Sequence, residues 1–182
     1  MNKYKTAQLI GFCLLMLISC KSNSQKSDLD NSTVKHLELE KYLGKWYEIA
    51  RFDHHFERGL VGVTASYSML PNGKIKVVNA GYKNTLNGKF KTADAKAKIP
   101  DQNEPGKLKV YFIPFFGADY NILELDKNYR WALVGSSAPN YLWILSRTPN
   151  LDEETYNLIL AKAKKRGYAV NELIKVKQAE IK

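Results

Sequence analysis

Apolar and polar residues alternate along most of the chain between residues 44 and 147, and short clusters of turn-forming residues break the alternation. A period of two marks a strand with one face toward a core. The pattern predicts strands near 44–52, 60–70, 74–82, 89–98, 107–113, 118–125, 130–136 and 141–147. Pro71-Asn72-Gly73 and Leu86-Asn87-Gly88 read as hairpin turns, because Asn-Gly readily takes the positive φ that a tight hairpin needs. Pro105-Gly106, Asp126-Lys127-Asn128 and Pro139-Asn140 close further turns. Strands in succession with no helix between them make the domain all-β, either an up-and-down antiparallel barrel or a sandwich. An eight-stranded barrel has an interior just wide enough for one small ligand.

The same period assigns faces. In the first strand Trp46, Glu48, Ala50 and Phe52 share one side. Later strands turn inward Ala65, Tyr67 and Met69; Leu108, Val110 and Phe112; Tyr120 and Ile122; and Tyr141, Trp143 and Leu145. Such side chains either fill a closed core or line a cavity. Residues 53–59 (DHHFERG) form the longer connection between the first two strands, so they are expected to cross one barrel end. Phe56 would be its apolar plug, within a charged rim of His54, His55, Glu57 and Arg58.

Beyond residue 149 the period changes. Tyr156, Ile159, Leu160 and Ala163 make a helical stripe within residues 150–167, expected to pack on the outside of the sheet. Asn150 and Glu153 have capping-box spacing, acidic residues fill the first turn, basic residues fill the last, and Gly167 suits the position after the end. Residues 172–177 (ELIKVK) alternate again and are a candidate ninth strand along the barrel edge.

The N-terminal residues have a different character. Lys3 and Lys5 precede a nearly continuous apolar run from Ala7 to Ile18, which ends Leu17-Ile18-Ser19-Cys20. The run is too short to span a bilayer as a settled helix and has the layout of a signal peptide. Its last residues look like a lipobox, in which the cysteine thiol carries a diacylglycerol as a thioether. The expected organisation is a signal peptide over 1–19, a lipid-anchored polar tether over 20–36 and a barrel domain over 37–182. The chain has two cysteines; Cys13 would leave with the signal segment and Cys20 would be acylated, so the mature domain has neither free thiol nor disulfide.

Loss of Lys3 and Lys5 lowers the formal net charge from +10 to +8. The remaining lysines are scattered, as at Lys89, Lys91, Lys96 and Lys98, and no zinc-finger, helix-turn-helix or RNP-like motif accompanies them. Solvated strand faces explain them first, anionic lipid headgroups second, and nucleic acid is not an expected partner. Neither a nucleophile elbow nor a Walker loop nor a paired-carboxylate motif is present. His54-His55 lacks a third ligand, since His36 lies in or beside the tether, so no metal or other cofactor is expected.

Three stretches fall in a telling order: Gly44-Lys45-Trp46 opening a strand, Ala118-Asp119-Tyr120 on a later one, and Arg147 ending the last before a single helix. This order resembles the lipocalin family, and residues 46–59 (WYEIARFDHHFERG) and 141–149 (YLWILSRTP) resemble its bacterial outer-membrane lipoproteins. The resemblance covers roughly residues 37 to 177 and favours the barrel over the sandwich. It implies that Gly44, Trp46, Asp119 and Arg147 are structural, with Arg147 lying across Trp46 at the closed end as a cation–π contact. Ala118 replaces the family's Thr, so any hydroxyl hydrogen bond there is lost. Some lipocalins are enzymes through a cysteine inside the barrel, a route closed to a mature domain without one. The resulting expectation is a non-enzymatic protein tethered to the outer membrane through Cys20. It would hold a fatty acid or lysophospholipid-like molecule against Phe52, Phe56, Ala65, Tyr67, Val110, Phe112, Tyr120 and Trp143. The competing readings are an enzyme on an apolar substrate and an envelope structural protein with a filled barrel. A homodimer is compatible with each.

Overall fold

The computed structural model describes residues 29–179. The expected signal peptide, Cys20 and the first part of the expected tether lie outside that range.

Eight strands follow one another: β1 (Gly44–Arg51), β2 (Leu60–Met69), β3 (Ile75–Lys83), β4 (Phe90–Lys98), β5 (Lys107–Ile113), β6 (Phe116–Leu125), β7 (Trp131–Gly135) and β8 (Leu142–Ser146). Each pairs antiparallel with the next, and β1 pairs with both β2 and β8, which closes the sheet into a barrel. The sandwich alternative is thereby excluded.

Apolar side chains form two layers, one on each side of the wall. Trp46, Ile75, Val77, Leu108, Val110, Ile122, Val134 and Leu145 pack in the interior. A short helix, α1 (Leu39–Tyr42), leads into β1. The outer layer joins Ile49, Leu123, Leu133, Leu142 and Ile144 to Ile159 and Ala163 of α2 (Glu153–Lys165). The N-cap of α2 is Asp152, whose Oδ1 accepts from Thr155 N–H at 2.7 Å, so the Asn150 capping box is not formed. Asp152 wins because its carboxylate lies within reach of the first orphan amides, directly before the acidic pair of the first turn.

β1 departs from strict alternation. Its register against β8 shifts between Glu48 and Ala50, a β-bulge with Ile49 as the extra residue. Beyond the bulge the faces exchange: Ala50 and Phe52 join the outer layer, while Arg51 turns inward and is fully buried. Phe52 packs at 6.3 Å on Tyr168, outside the barrel, which corrects its assignment as a ligand-lining residue. The β1–β2 ladder ends at Tyr47↔Thr64, where β1 bulges against β8 and β2 shifts register against β3. The C-terminal segment fills the gap as β9 (Ile174–Lys175), paired with Ala50 and Arg51. Gln178 Nε2 then bridges the parted strands, donating to Glu48 O at 2.7 Å and Val63 O at 2.9 Å.

Residues 29–36, expected within the tether, lie instead along the barrel wall. Val34 N–H donates to Ile122 O at 3.0 Å, and Asp30 N–H to Arg166 O at 2.9 Å. Arg166 returns a bond to Ser32 O at 2.8 Å. Thr33 is buried so close to Gly106 that a Cβ there would come within 2.8 Å of its side chain. The order comes from partners distant in sequence, which the strap's polar composition does not reveal.

Candidate functional site

The two ends of the barrel differ. At one end the chain enters through Gly44 at φ +90°, a backbone state that favours glycine. Trp46 is wholly buried there, and its indole N–H donates to Tyr42 O at 2.8 Å. The Arg147 guanidinium lies 3.8 Å from the Trp46 ring centroid and donates to Lys45 O at 2.9 Å and Tyr129 O at 3.2 Å. A stacked cation whose donors are taken by backbone carbonyls makes a plug. Above it, Tyr120 Oη meets Tyr42 Oη at 2.6 Å and Tyr67 Oη at 2.8 Å, so three buried hydroxyls satisfy one another. Burial pushes all three phenols above their ordinary range.

The other end is framed by the connections at 52–59, 84–89, 114–115 and 136–141. Below the first of these lies a charged group created by the bulge. Arg51 donates to Glu48 Oε1 at 2.6 Å and to the backbone carbonyl of Glu57 at 2.8 Å. Glu57 Oε2 accepts from the Trp143 indole at 3.0 Å. Two buried carboxylates therefore face one guanidinium. Burial, with the neighbouring Glu57 charge, raises Glu48 to about 8 against the opposing pull of Arg51. Burial raises Glu57 as well and lowers His54. The loop thus turns His54 and Glu57 inward, whereas Phe56, the expected plug, is 54% exposed and stacks on His54. Glu57, held through Arg51 and Trp143, fixes this loop, and His54 stacks between Phe56 and Tyr141.

The wall itself opens on one side. β4 and β5 share only the pairs Lys96↔Tyr111, Ala97↔Val110 and Lys98↔Lys109. Towards the open end Phe90–Ala95 and Phe112 have no partner across that seam, and a cavity of about 960 Å³ lies along it. Its lining joins Ala95 and Ala97, both buried on the inner face, to Leu70, Tyr111, Phe112, Pro114 and Phe115, and includes Lys74 and a row of lysines on the outer face (Lys76, Lys96 and Lys98). Asp94 is the one acidic group in the lining.

Of the eight residues expected to line the ligand, Phe112 lines this cavity. Ala65, Tyr67, Val110, Tyr120 and Trp143 belong to the barrel interior, with Ala65 opposite Trp46 near the plug. Met69, also expected inward, is 45% exposed. Asp119 pairs with Lys109 and accepts from Ser137 Oγ, linking β5, β6 and the 136–141 connection at the surface. Sequence reasoning missed Arg51, Ala95, Ala97 and the lysine row as a group. The alternating lysines of β4 were the available signal for the last.

The family model described as "Lipocalin-like domain" matches residues 37–178. The chain is 43% identical over 164 residues to "Outer membrane lipoprotein Blc" of Citrobacter freundii, covering 90% of each. It is 36% identical over 163 residues to "Temperature-induced lipocalin-1" of Arabidopsis thaliana, covering 86% of this chain and 87% of that one. Among solved structures, insecticyanin of the tobacco hornworm Manduca sexta aligns with a TM-score of 0.66 at 19% identity, over 82% of this chain and 85% of that one. At that identity the likeness speaks for the fold alone.

Proposed function

The chain belongs to the lipocalin family, and on that premise we propose that it is an outer-membrane lipoprotein that binds an anionic amphiphile, a fatty acid or lysophospholipid. The cavity along the β4–β5 seam carries the reading. Its 960 Å³ falls within the roughly 300–1,000 Å³ of small-molecule sites. Ala95, Ala97 and Phe112 give it apolar lining for an acyl chain, and Lys96 and Lys98, on the outer face of β4, offer cations to an acidic headgroup. Chemistry that cuts or transfers groups is not part of the reading, since members of this family generally bind without catalysis. The name of the bacterial relatives supports the outer-membrane location. The lipobox supports Cys20 as the attachment point.

The magnitudes suit a carrier. Burying a chain of about sixteen carbons gains about 0.8 kcal/mol per methylene, or about 12 kcal/mol. Association costs on the order of 4–15 kcal/mol. At the low end of that cost the surplus is about 8 kcal/mol, which places affinity near the micromolar range and permits release for storage or transport.

Titration with a fluorescent fatty-acid probe tests the site. Ala95→Trp should abolish probe binding with little loss of thermal stability, because a cavity wall accepts a larger side chain. A filled core would instead lose about 1–3 kcal/mol to strain. Unchanged binding, or a sharp fall in stability, would reject the cavity as the site.

A further inference from the structure

Large apolar side chains are exposed at one end of this barrel. Of the nine such residues among those described, six (Phe56, Phe90, Phe112, Ile113, Phe115 and Phe116) lie at the open end. Four of them form the tip of the β5–β6 hairpin, where Phe115 is 96% and Phe116 77% exposed. An exposed cluster of this kind marks an interaction surface, and phenylalanines projecting from a tight tip can enter a lipid interface. The neighbouring β3–β4 connection presents Lys83, Lys89 and Lys91, all exposed, so the same end offers cations beside the apolar tip.

A second observation says which surface meets this end. The strap over residues 29–36 has a direction. Asn31 donates to Ser137 O at 3.4 Å, on the 136–141 connection of the open end. Further along, Thr33 and Val34 lie against Gly106, in the connection between β4 and β5 at the plugged end. The chain therefore joins the folded body beside the open end. Nine residues take the chain from Cys20 to Leu29, a span of at most about 30 Å. A tether of that length starting beside the open end lets the open end reach the bilayer once Cys20 is acylated.

We propose that the open end docks on an anionic phospholipid bilayer, with the Phe115–Phe116 tip inserted among the headgroups and Lys83, Lys89 and Lys91 on their phosphates. The proposal rests on the reading of Cys20 as the anchor. It places the open-end part of the cavity lining, Phe112 and Phe115, against the source of the proposed ligand. An acyl chain then passes between membrane and barrel without crossing water.

Nitroxide labels test this on the acylated mature protein, whose only native thiol, Cys20, is blocked by lipid. Phe115→Cys and Phe116→Cys report the tip. Met69→Cys at the plugged end and Leu158→Cys on α2 are exposed controls. On vesicles of phosphatidylglycerol and phosphatidylethanolamine, the two tip labels should gain collisions with oxygen and lose collisions with a water-soluble nickel complex, reversing the ratio seen in solution. The control labels should keep their aqueous ratio. Four labels that all stay aqueous on the vesicles overturn the proposal. Tip labels that broaden one another in solution, with no further change on vesicles, also overturn it, because a second copy then covers the tip. Flotation of the parent with the vesicles reports the anchor separately. Loss of flotation on Cys20→Ser, with the tip labels still aqueous in the floating parent, would uphold the anchor and reject the docking.

Discussion

Glu48→Gln should make the protein more stable in mild alkali and leave it unchanged in mild acid. Glu48 and Glu57 are both buried and share Arg51, so the folded group carries one carboxylate more than its cation can balance. Burial and the Glu57 charge raise Glu48 from an ordinary 4.5 to about 8 in the folded state. Between those values the unfolded chain has released a proton that the folded chain retains. Stability therefore falls as pH rises, by about 1.4 kcal/mol per pH unit, and levels off above about 8. Over the whole interval from 4.5 to about 8, the loss has an upper limit of about 5 kcal/mol. The amide introduced by Glu48→Gln keeps an acceptor for Arg51 and leaves one cation facing one carboxylate, so the variant lacks this slope. Urea melts of both proteins at about pH 5, 7 and 9 measure it, with the curves coinciding at the acid end and the variant ahead at the alkaline end. If Glu48 is instead ionised and held by Arg51 throughout, removing it breaks a buried pair at a cost of about 3–5 kcal/mol. A variant that is weaker in alkali, or curves that run parallel across the range, would refute the reasoning.

Trp46→Ala should cost about 3–5 kcal/mol in denaturant melts, and Arg147→Ala less; a double variant costing the plain sum would show that the 3.8 Å contact carries no coupling. Asp152→Ala should lower stability by about 1 kcal/mol through the lost cap, while Asn150→Ala should leave the melt unmoved. Cys20→Ser should stop acylation and leave unprocessed precursor, seen as a heavier band that takes up no labelled palmitate; lipid-labelled variant protein would refute the lipobox reading.

All eight strands lie within two residues of where alternation and turn residues put them, because a half-buried strand writes its period into the chain. Inward assignment was legible where a ladder runs unbroken, as at Val110, Tyr120 and Trp143. It failed at Phe52 because one extra residue, Ile49, inverts every face after it, and neither Ile49 nor its neighbours differ in type from ordinary strand residues. For the same reason strict alternation leaves Arg51 off the face of Trp46 and Glu48, whereas the bulge buries it beside Glu48. The strap over 29–36 was illegible for another reason: its partners Ile122, Arg166 and Ser137 are far away in sequence. The seam between β4 and β5 likewise depends on where two ladders stop pairing, which composition does not encode.

Lipid extraction of the purified protein followed by mass spectrometry tests the central claim most directly. Protein prepared from membranes, or loaded with palmitate and then washed, should release an intact fatty acid or lysophospholipid, and Ala95→Trp prepared in parallel should release none. Recovery of cleaved lipid would identify an enzyme. Parent protein that stays empty after loading would identify a filled barrel, and either result would contradict the account.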